Sequence, residues 1–372
     1  MKIAINTLSL SKIKVGMGKY IAELVNNAPK ADPYNTYFIY LSEENRKYFN
    51  LSHPNIELVL VHNMWTQGFL RILWEQFFIP FSLYWNKINI YHAPGFVLPL
   101  FKVNKKIKYI VTIADMTFFS HPEHHIYWKQ KYFKYMIPLS IKKADQVIAI
   151  SENTKQDILQ MVPVDKKKIV VTYLGYDTSF SRQDKEKIKS TLKKYEITFS
   201  YILFVGMLEP RKNIPSLIKA FAAIKEKKNH KQVIVGKRGW MYGEIFALIK
   251  NLKIEEQVVF TGYIPDEDLP SLYSGATCFV YPSFYEGFGI PIIEAMACGC
   301  PVITSNNSSM REIAGDAAIL IDPYNLMDIQ NAIELLIKDK EVRRRKEREG
   351  ITQAKSFTWE KMILKTKMVY QE

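Results

Sequence analysis

The sequence predicts an α/β protein built from two doubly wound domains of similar size. At 372 residues the chain is too long for one ordinary hydrophobic core. Its composition, with 48% hydrophobic and 24% charged residues, is typical of a globular protein. Short apolar segments alternate with helical patterns in two successive series, which indicates parallel sheets covered by helices. We therefore predict one Rossmann-like domain over residues 1–178 and a second that begins at residue 179.

The first series opens with a strand at Lys2–Asn6, a loop containing Gly16 and Gly18, and a helix from Tyr20 to Asn27. The loop has Ile21 where a dinucleotide-binding fingerprint needs its third glycine, and it lacks the spacing of a P-loop. A glycine loop before a helix still suits a phosphate or a closely packed ligand. Further strands are predicted at 37–41 and 56–61, within 88–94, 108–115 and 144–151, and at 169–173.

Polar residues end several of these strands, where a doubly wound sheet places its ligand crevice. His92, Asp115 and Ser151 are therefore expected near such a crevice, although we favour Ser151 as the N-cap of the next helix. A cluster of His121, His124 and His125 matches no standard metal spacing, and we interpret it as a polar surface turn.

An aromatic segment lies between the strand predicted at 56–61 and the strand predicted within 88–94. It runs from Phe69 to Trp85 and is interrupted by Arg71 and Glu75, so it is a poor candidate for a membrane span. The pattern around Trp74 predicts a helix. We attribute its aromatic stripe to core packing, with a lipid-facing patch as the alternative.

The second series follows a linker at 175–180 and a charged helix within 181–195, with strands at 201–206, 232–236, 257–262, 277–281, 301–304 and 317–322. After its first strand, Arg211 and Lys212 lie directly before a helix for which Asn213 is the predicted N-cap. A guanidinium fork beside a compact ammonium suits a diphosphate, and a solvated basic turn is the alternative. The loop that begins at Tyr263 has backbone groups that can hold a nucleotide base.

The stretch from residue 281 to 300 organises this second domain. A buried strand leads into a turn with Gly287 and Gly289, and a helix is predicted from Ile290 to Ala297. A strand, a glycine-bearing turn and a helix N-terminus make an anion site. Glu286 and Glu294 lie on either side of it and can bind hydroxyl groups. A sugar nucleotide has this layout of hydroxyls around a diphosphate; an ordinary strand-to-helix turn is the alternative.

The net charge of +14 limits the choice of partners. Residues 1–178 carry 22 lysines and arginines against 13 acids, and the remainder carries 29 against 24. This excess favours an anionic membrane or phosphate-bearing substrates over nucleic acid, because no nucleic-acid recognition motif accompanies it. Three cysteines without disulfide or zinc spacing, and no apparent signal peptide, predict a cytoplasmic protein that can rest on the inner face of the membrane.

Four groups of residues together resemble family 4 of the retaining glycosyltransferases, which have the GT-B fold. They are Glu286 and Glu294 with seven residues between them, the segment from Gly206 to Lys212, Gly16-Met-Gly18, and the closing Phe357-Thr-Trp-Glu. The resemblance covers essentially the whole chain. It implies two Rossmann-like domains that face a central cleft, residues 1–178 for the acceptor and 179–356 for the nucleotide sugar. It also implies that the last helix, within 357–372, returns to the first domain.

The resemblance also implies the site residues and the reaction. Glu286 contacts the donor sugar, and we assign Glu286 and Asp115 as catalytic. The assigned donor-binding residues are Gly16, Arg211, Lys212, Tyr263, Phe288, Gly289, Ile290 and Glu294. No metal and no further cofactor are expected, because cations and helix N-termini stabilise the leaving diphosphate. The implied reaction moves a mannose- or 6-deoxyhexose-like group, with retention, from a GDP- or UDP-linked donor to a glycan or lipid-linked glycan in surface polysaccharide (lipopolysaccharide) synthesis.

One position departs from the family pattern. The family has a His-Asp pair after the strand at 109–113, and this chain has Ala114 and Asp115. Alanine cannot bond the C6 hydroxyl of a donor, so we hypothesise a donor altered at C6, such as a 6-deoxy sugar. The rival explanations are that His92 or His121 supplies the contact, or that the active site is impaired or engineered.

Two other classes of function remain compatible with the residues alone. A sugar-nucleotide epimerase of similar fold would consume the donor without an acceptor. A basic RNA-binding or scaffold protein would bind nucleic acid in a salt-sensitive way and have no affinity for sugar nucleotides.

Overall fold

The computed structural model describes residues 1–10, 16–122, 126–225, 227, 229–237, 239 and 243–372. These residues form two compact units: Met1–Leu174 with Trp359–Glu372, and Gly175–Thr358. The sequence predicted the boundary between the two domains after residue 178, whereas the first unit ends at Leu174. The C-terminal segment that belongs to the first unit begins at Trp359.

Unit 1 contains a seven-stranded parallel sheet in the order β3-β2-β1-β4-β5-β6-β7. Inner strands of this sheet, such as those at Lys2–Asn6 and Lys108–Ile113, are buried on both faces and consist mainly of apolar residues instead of alternating patterns. The strands are β1 Lys2–Asn6, β2 Thr36–Ser42, β3 Ile56–Val61, β4 Ile90–Ala93, β5 Lys108–Ile113, β6 Gln146–Ala149 and β7 Ile169–Val171. The helices are α1 Met17–Ala31, α2 Gly68–Leu73, α3 Ile79–Trp85, α4 Thr117–Ser120, α5 Tyr127–Lys143, α6 Glu152–Met161 and, from the chain end, α15 Trp359–Gln371.

Unit 2 contains a six-stranded parallel sheet in the order β10-β9-β8-β11-β12-β13. The strands are β8 Ser200–Val205, β9 His230–Val235, β10 Val258–Gly262, β11 Cys278–Tyr281, β12 Val302–Ser305 and β13 Ile319–Ile321. The helices are α7 Lys185–Lys194, α8 Ile214–Ala223, α9 Gly243–Leu252, α10 Leu269–Gly275, α11 Ile290–Ala297, α12 Ser308–Ala314, α13 Leu326–Lys338 and α14 Lys340–Ala354. The prediction of two doubly wound α/β domains is confirmed.

Each sheet has one point at which the strand order reverses direction. In unit 1 this switch point lies between β1 and β4, and in unit 2 it lies between β8 and β11. Loops that leave neighbouring strands in opposite directions at such a point open a crevice at the carboxyl ends of the strands, where ligands bind. The two switch points are therefore the places to look for function.

Helix α15 is fastened to unit 1 by a buried polar network. Tyr370 OH lies 2.8 Å from His92 Nδ1, and His92 Nε2 lies 2.8 Å from Thr112 Oγ1, which also bonds Tyr20 OH at 2.9 Å. Lys108 Nζ donates to the carbonyl of Val369 at 2.7 Å. The last helix was predicted to return to the first domain, and α15 does belong to unit 1.

The aromatic segment is helical but is not the core stripe that the sequence predicted. α2 and α3 are joined by a π-helical turn at Trp74–Phe78. Trp74 packs on the core, whereas Phe77, Phe81 and Trp85 are 56%, 44% and 74% exposed. The stripe repeats every four residues on the outer face, so it covers no core. Within the described residues, none of the helices has the length and apolarity needed to cross a membrane.

Candidate active site

The switch point of unit 2 brings together the two motifs that the sequence singled out. The loop after β8 carries Arg211 and Lys212 on a short 3₁₀ turn, Pro210–Lys212, and the loop after β11 carries Glu286. The backbones of the two loops are bonded, since Phe284 N donates to the carbonyl of Arg211 at 2.9 Å. The paired strands thus fix residues that lie more than 70 positions apart in the sequence.

Glu286 lies between both cations in a buried charge cluster. Its Oε2 is 2.6 Å from Arg211 Nη1, and its Oε1 is 2.6 Å from Lys212 Nζ. Lys212 Nζ also donates to Tyr281 OH at 2.5 Å, and Arg211 Nη2 donates to Glu209 Oε1 at 2.8 Å. Glu286 and Lys212 are each 7% exposed. The sequence predicted a sugar contact for Glu286 and a diphosphate contact for the cations, whereas the structure joins all three in one ion-paired cluster.

The electrostatics of this cluster fix the charge of each member. Burial opposes ionisation, but the charges of Arg211 and Lys212 outweigh it and lower the pKa of Glu286 to about 2. Burial lowers the pKa of Lys212, with Glu286 acting in the opposite direction. Glu286 is therefore an ionised hydrogen-bond acceptor at neutral pH and cannot serve as a general acid there.

Helix α11 begins at this cluster, over the range that the sequence predicted. Gly289 precedes it with φ +95°, a conformation that favours glycine. The first-turn amides and the helix dipole make this end of α11 attractive to an anion. Phe288 is buried against Phe357, which fixes the backbone of the turn. Glu294, on the same helix, is 4% exposed, and its charge adds to burial in raising the pKa of Tyr273.

A polar segment that runs from the end of β12 into the start of α12 holds the Glu286 loop in place, a role that was not predicted from the sequence. Its side chains bond the backbone of the loop at five points: Thr304 Oγ1 to Tyr281 O at 2.9 Å, Ser305 Oγ to Ser283 O at 2.7 Å, Asn307 Nδ2 to Phe284 O at 3.0 Å, Ser309 Oγ to Glu286 O at 2.8 Å, and Glu286 N to Ser308 Oγ at 3.2 Å. We call residues 304–309 the clamp segment. It leaves the main chain of Glu286 little freedom to move.

Two further predictions for unit 2, a helix cap at Asn213 and a donor contact at Tyr263, have different outcomes. Asn213 lies at the N-terminus of α8, but its side chain does not cap the helix; its backbone is left-handed, and Nδ2 donates to Pro323 O at 2.7 Å. Tyr263 follows β10 at the carboxyl edge of the sheet and is 55% exposed, with Lys237 Nζ 4.5 Å from its ring centroid. Its assigned role stays a prediction.

In unit 1, Gly16 and Asp115 lie at the carboxyl edge of the sheet. Gly16 precedes α1 with φ +54°; the neighbouring Lys14 and Val15 of this predicted loop are outside the described residues. Asp115 is half-buried, and its Oδ1 accepts from Thr117 N at 3.0 Å and Thr117 Oγ1 at 2.5 Å. One carboxylate oxygen of Asp115 therefore shapes the turn into α4, and its catalytic assignment stays a prediction.

The predictions for Ser151 and for the histidines have different outcomes. Ser151 is the N-cap that we favoured, accepting from Thr154 N at 3.0 Å. The prediction that His92 lies at the crevice is wrong. His92 is fully buried, and both of its ring nitrogens form hydrogen bonds in the network that holds α15. This burial also removes His92 as a substitute for the missing histidine at position 114. His121 bonds Ser120 Oγ at 3.0 Å, and His124 and His125 lie outside the described residues.

Two family models of glycosyltransferases together match most of the chain. The family model "Glycosyltransferase Family 4" matches residues 15–180, and "Glycosyl transferases group 1" matches residues 184–353. O-antigen chain mannosyltransferase B of Escherichia coli is 33% identical over 288 residues, which cover 77% of this chain and 74% of that protein. This degree of similarity extends over both predicted domains.

Solved structures agree on the fold. Sucrose-phosphate synthase of Thermosynechococcus elongatus superposes with a TM-score of 0.80 at 19% identity, over 100% of this chain and 98% of that one. Anabaena HepE, solved with UDP and glucose, gives a TM-score of 0.76 at 18% identity, over 100% and 99%. The family models and the relative from Escherichia coli show that the chain belongs to glycosyltransferase family 4, and the solved structures show the GT-B fold. The chain is therefore a glycosyltransferase with the GT-B fold.

Proposed function

We propose that this enzyme transfers a mannose-like hexosyl group from a nucleotide-diphosphate sugar to a glycan or lipid-linked glycan of an O-antigen type polysaccharide, with retention and without a metal. The observation that carries the proposal is the Arg211–Lys212–Glu286 cluster beside the N-terminus of α11. The choice of mannose rests on the relative from Escherichia coli, whose name describes an O-antigen mannosyltransferase. Membership of a glycosyltransferase family stands against the epimerase and the RNA-binding alternatives.

The chemistry of the cluster supports a diphosphate at its centre. Glu286 and Glu209 formally balance Arg211 and Lys212, so the added attraction for a diphosphate comes from the ends of α11 and α8. An ammonium has three N–H groups, and Lys212 uses two of them, for Tyr281 and Glu286. The third can reach a phosphate oxygen. Developing charge on the leaving diphosphate is then stabilised without a metal.

Glu286 supports recognition of the sugar. Each of its carboxylate oxygens has one cation partner, and a carboxylate has about four acceptor sites in total, so it can also accept from a sugar hydroxyl. Because the carboxylate is ionised and its main chain is held by the clamp segment, it also provides a fixed negative charge for a transition state with positive character at the anomeric carbon. Glu294 is proposed to bind the ribose, and Asp115 to orient the acceptor hydroxyl.

The first test is a thermal-shift panel of UDP, GDP, ADP and dTDP with their common sugars and a metal chelator. A ligand at a hundred times its dissociation constant stabilises a fold by roughly 2.7 kcal/mol, which is measurable. We expect GDP and GDP-mannose to stabilise the protein and Arg211→Ala to abolish the shift. Transfer of mannose from GDP-mannose in the presence of the chelator supports a reaction without a metal. An α-anomeric product, identified by NMR, supports retention. A strict requirement for a divalent metal would contradict the proposal.

The alanine at position 114 leads to a second test of the donor. Ala114 is 4% exposed, and its carbonyl accepts from Thr154 Oγ1 at 3.1 Å. We expect the native protein to favour a 6-deoxy donor over its 6-hydroxy counterpart more strongly than Ala114→His does. Equal preference in both proteins removes the hypothesis of a donor altered at C6 and leaves mannose itself.

We also propose peripheral contact with an anionic membrane through the exposed aromatic stripe. Phe81 lies 6.0 Å from Trp85 and 6.1 Å from Phe101, and Phe77 lies 6.3 Å from Phe101, measured between ring centroids. Between residues 69 and 106 the charged side chains are one arginine, four lysines and the buried Glu75. Exposed aromatic rings on a segment with an excess of lysines in its sequence match the interface of an anionic bilayer.

Vesicle sedimentation tests this contact. We expect binding to phosphatidylglycerol vesicles, weaker binding to phosphatidylcholine vesicles, and loss of binding in the double variant Phe81→Ser/Trp85→Ser. The matched control is Tyr34→Ser, which removes a ring that is 92% exposed elsewhere on unit 1. Equal losses in the two variants, or no binding by the native protein, would argue against the stripe.

A further inference from the structure

The switch point of unit 1 contains a cavity of its own. It has a volume of about 210 Å³ and is lined by Ser9, Met17, Gly18, Ile21, Arg71, Gly95, Phe96 and Phe133. Ser9 follows β1, Gly95 and Phe96 follow β4, and Gly18 lies in the first turn of α1. These are the loops that diverge at the reversal of strand order, where a doubly wound sheet binds its ligand.

The polar groups at this cavity form an incomplete set of hydrogen bonds. Arg71 Nε lies 3.9 Å from Glu75 Oε1, which is too far for a hydrogen bond. Within the described part of the chain, Arg71 Nε and Ser9 Oγ are both buried and have no hydrogen-bond partner. Buried polar atoms are nearly always paired in native proteins, so groups of this kind require an explanation, and a ligand is one.

Glu75 lies beside the cavity-lining Arg71, in an irregular turn. It lies in the π-helical segment Trp74–Phe78, is 8% exposed, and accepts from Asn6 Nδ2 at 3.1 Å. π-helical turns occur frequently at functional sites because they redirect single side chains. Burial raises the pKa of Glu75 above its ordinary value, although Arg71 and Asn6 act against the increase. A further hydrogen-bond donor at this carboxylate would stabilise its charged form.

We propose that this cavity binds one uncharged pyranose ring of the acceptor, with Arg71 and Glu75 bonding its hydroxyls. The pair is formally neutral, which does not favour an anion. The half-buried rings of Phe96 and Phe133, 6.0 Å apart, provide apolar surface for the C–H face of a sugar. The volume is below that of the sites that hold drug-sized ligands, which suits a single ring.

The proposal rests on the proposed glycosyl transfer, because it names the acceptor subsite of that reaction, but it has a direct binding test. The probes are methyl α-D-mannopyranoside, methyl α-D-glucopyranoside and methyl α-D-galactopyranoside, followed by saturation-transfer NMR on the full chain. We expect at least one glycoside to bind the native protein and Arg211→Ala, and to lose its signal in Glu75→Gln. Absence of a signal with all three, or signals unchanged by Glu75→Gln, overturns the subsite.

A glycine at the rim of the cavity provides a second variant that leaves the charged pair intact. A Cβ added at Gly95 would overlap the Ser9 hydroxyl and narrow the cavity, whereas one added at Gly243 meets nothing within 4 Å. We expect Gly95→Ala to weaken glycoside binding about tenfold, and the control Gly243→Ala to leave it unchanged. Equal binding by both variants overturns the assignment of this cavity.

Kinetics separate a failure of this inference from a failure of the proposed function. We expect Glu75→Gln to raise the KM for the acceptor roughly tenfold or more, the loss typical of a charged hydrogen bond, and to leave the KM for the donor within about twofold. A purely structural role for Glu75 would move both constants together and overturns the inference. A native protein that binds no nucleotide sugar but still binds a glycoside refutes the proposed donor and retains the subsite.

Discussion

The two switch points of this enzyme share the same sheet geometry but differ in how tightly their charged side chains are paired. In unit 2 the buried charges of Arg211, Lys212 and Glu286 are paired at 2.6 Å. In unit 1 Arg71 and Glu75 remain 3.9 Å apart beside unpaired buried atoms. A tightly paired, multiply charged site suits a charged diphosphate, and a loosely paired neutral site suits hydroxyl groups. In our proposal, the loops after the strands, not the sheets, determine which ligand each unit binds.

The largest effect expected from this comparison is at Lys212. In Lys212→Met the buried Glu286 loses one cation and the diphosphate loses its ammonium contact. Breaking a buried pair costs about 3–5 kcal/mol of stability, and we expect kcat/KM to fall by about 10³-fold. Circular dichroism during urea unfolding and steady-state kinetics measure the two effects.

The double variant Lys212→Met/Glu286→Gln separates those two effects. Removal of the second charge restores part of the lost stability because the pair is coupled, but it restores no activity because the diphosphate and sugar contacts are both gone. Recovery of activity together with stability would mean that the cluster is only structural, and the contrast between the two switch points would fail.

The response to pH is the second way to test the contrast, because the two units contain different buried titrating groups. Burial lowers the pKa of His92 from 6.5 to about 3. The unfolded chain therefore takes up this proton first, and unit 1 loses stability as the pH falls from about 6.5 to about 3. Glu286 has a pKa lowered from 4.5 to about 2, so its contribution to unit 2 is complete above about 4.5 and is lost as the pH falls to about 2.

Hydrogen exchange followed by mass spectrometry at pH 7, 5 and 4 checks this order. We expect peptides from β4, β5 and α15 to lose protection before those from β8 and β11. In His92→Asn the protection of unit 1 should be lower at pH 7 and should depend less on pH. Simultaneous loss of protection in both units would contradict the assignment to His92.

A smaller effect is expected in the clamp segment. Ser309 Oγ donates to the carbonyl of Glu286 at 2.8 Å, so Ser309→Ala removes one of the bonds that position this residue. We expect a loss of about 1 kcal/mol in stability and a roughly tenfold lower kcat, with the KM for the donor little changed. The control is Ser190→Ala, whose hydroxyl bonds a carbonyl within the exposed helix α7. A fall in KM alone, or equal losses in both variants, would exclude a positioning role.

The sequence predicted most of the fold because its local signals agree with the tertiary structure. The helix Ile290–Ala297 was predicted with its observed limits, since Gly289, Pro291 and Gly299 mark its ends. Glu286 was identified because it lies beside a glycine-bearing turn after an apolar strand, and Arg211 and Lys212 were identified because they lie directly before a predicted helix. These features depend on neighbours along the chain, which a sequence displays directly.

The contacts that organise the sites depend on strand order, which the sequence does not display. Ser308 and Ser309 resemble ordinary residues at a helix start, and only the pairing of β11 with β12 brings them to Glu286. His92 was misplaced for the same reason, because its partner Tyr370 lies 278 positions away. Glu75 was included in an aromatic stripe assigned to the core, and the π-helical turn that directs it has no sequence signature.

The smallest expected effect comes from Tyr370→Phe, which tests whether every buried polar group in unit 1 serves a ligand. The hydroxyl of Tyr370 bonds His92, and neither residue lines the cavity. Its loss should cost about 1 kcal/mol of stability and loosen α15, which urea unfolding and exchange of the α15 peptides will show. The KM values for donor and acceptor should stay within about twofold. If Tyr370→Phe raised the KM for the acceptor as much as Glu75→Gln does, the effect of Glu75 would reflect general loosening of unit 1, and the distinction between a ligand-binding and a structural polar network would be lost.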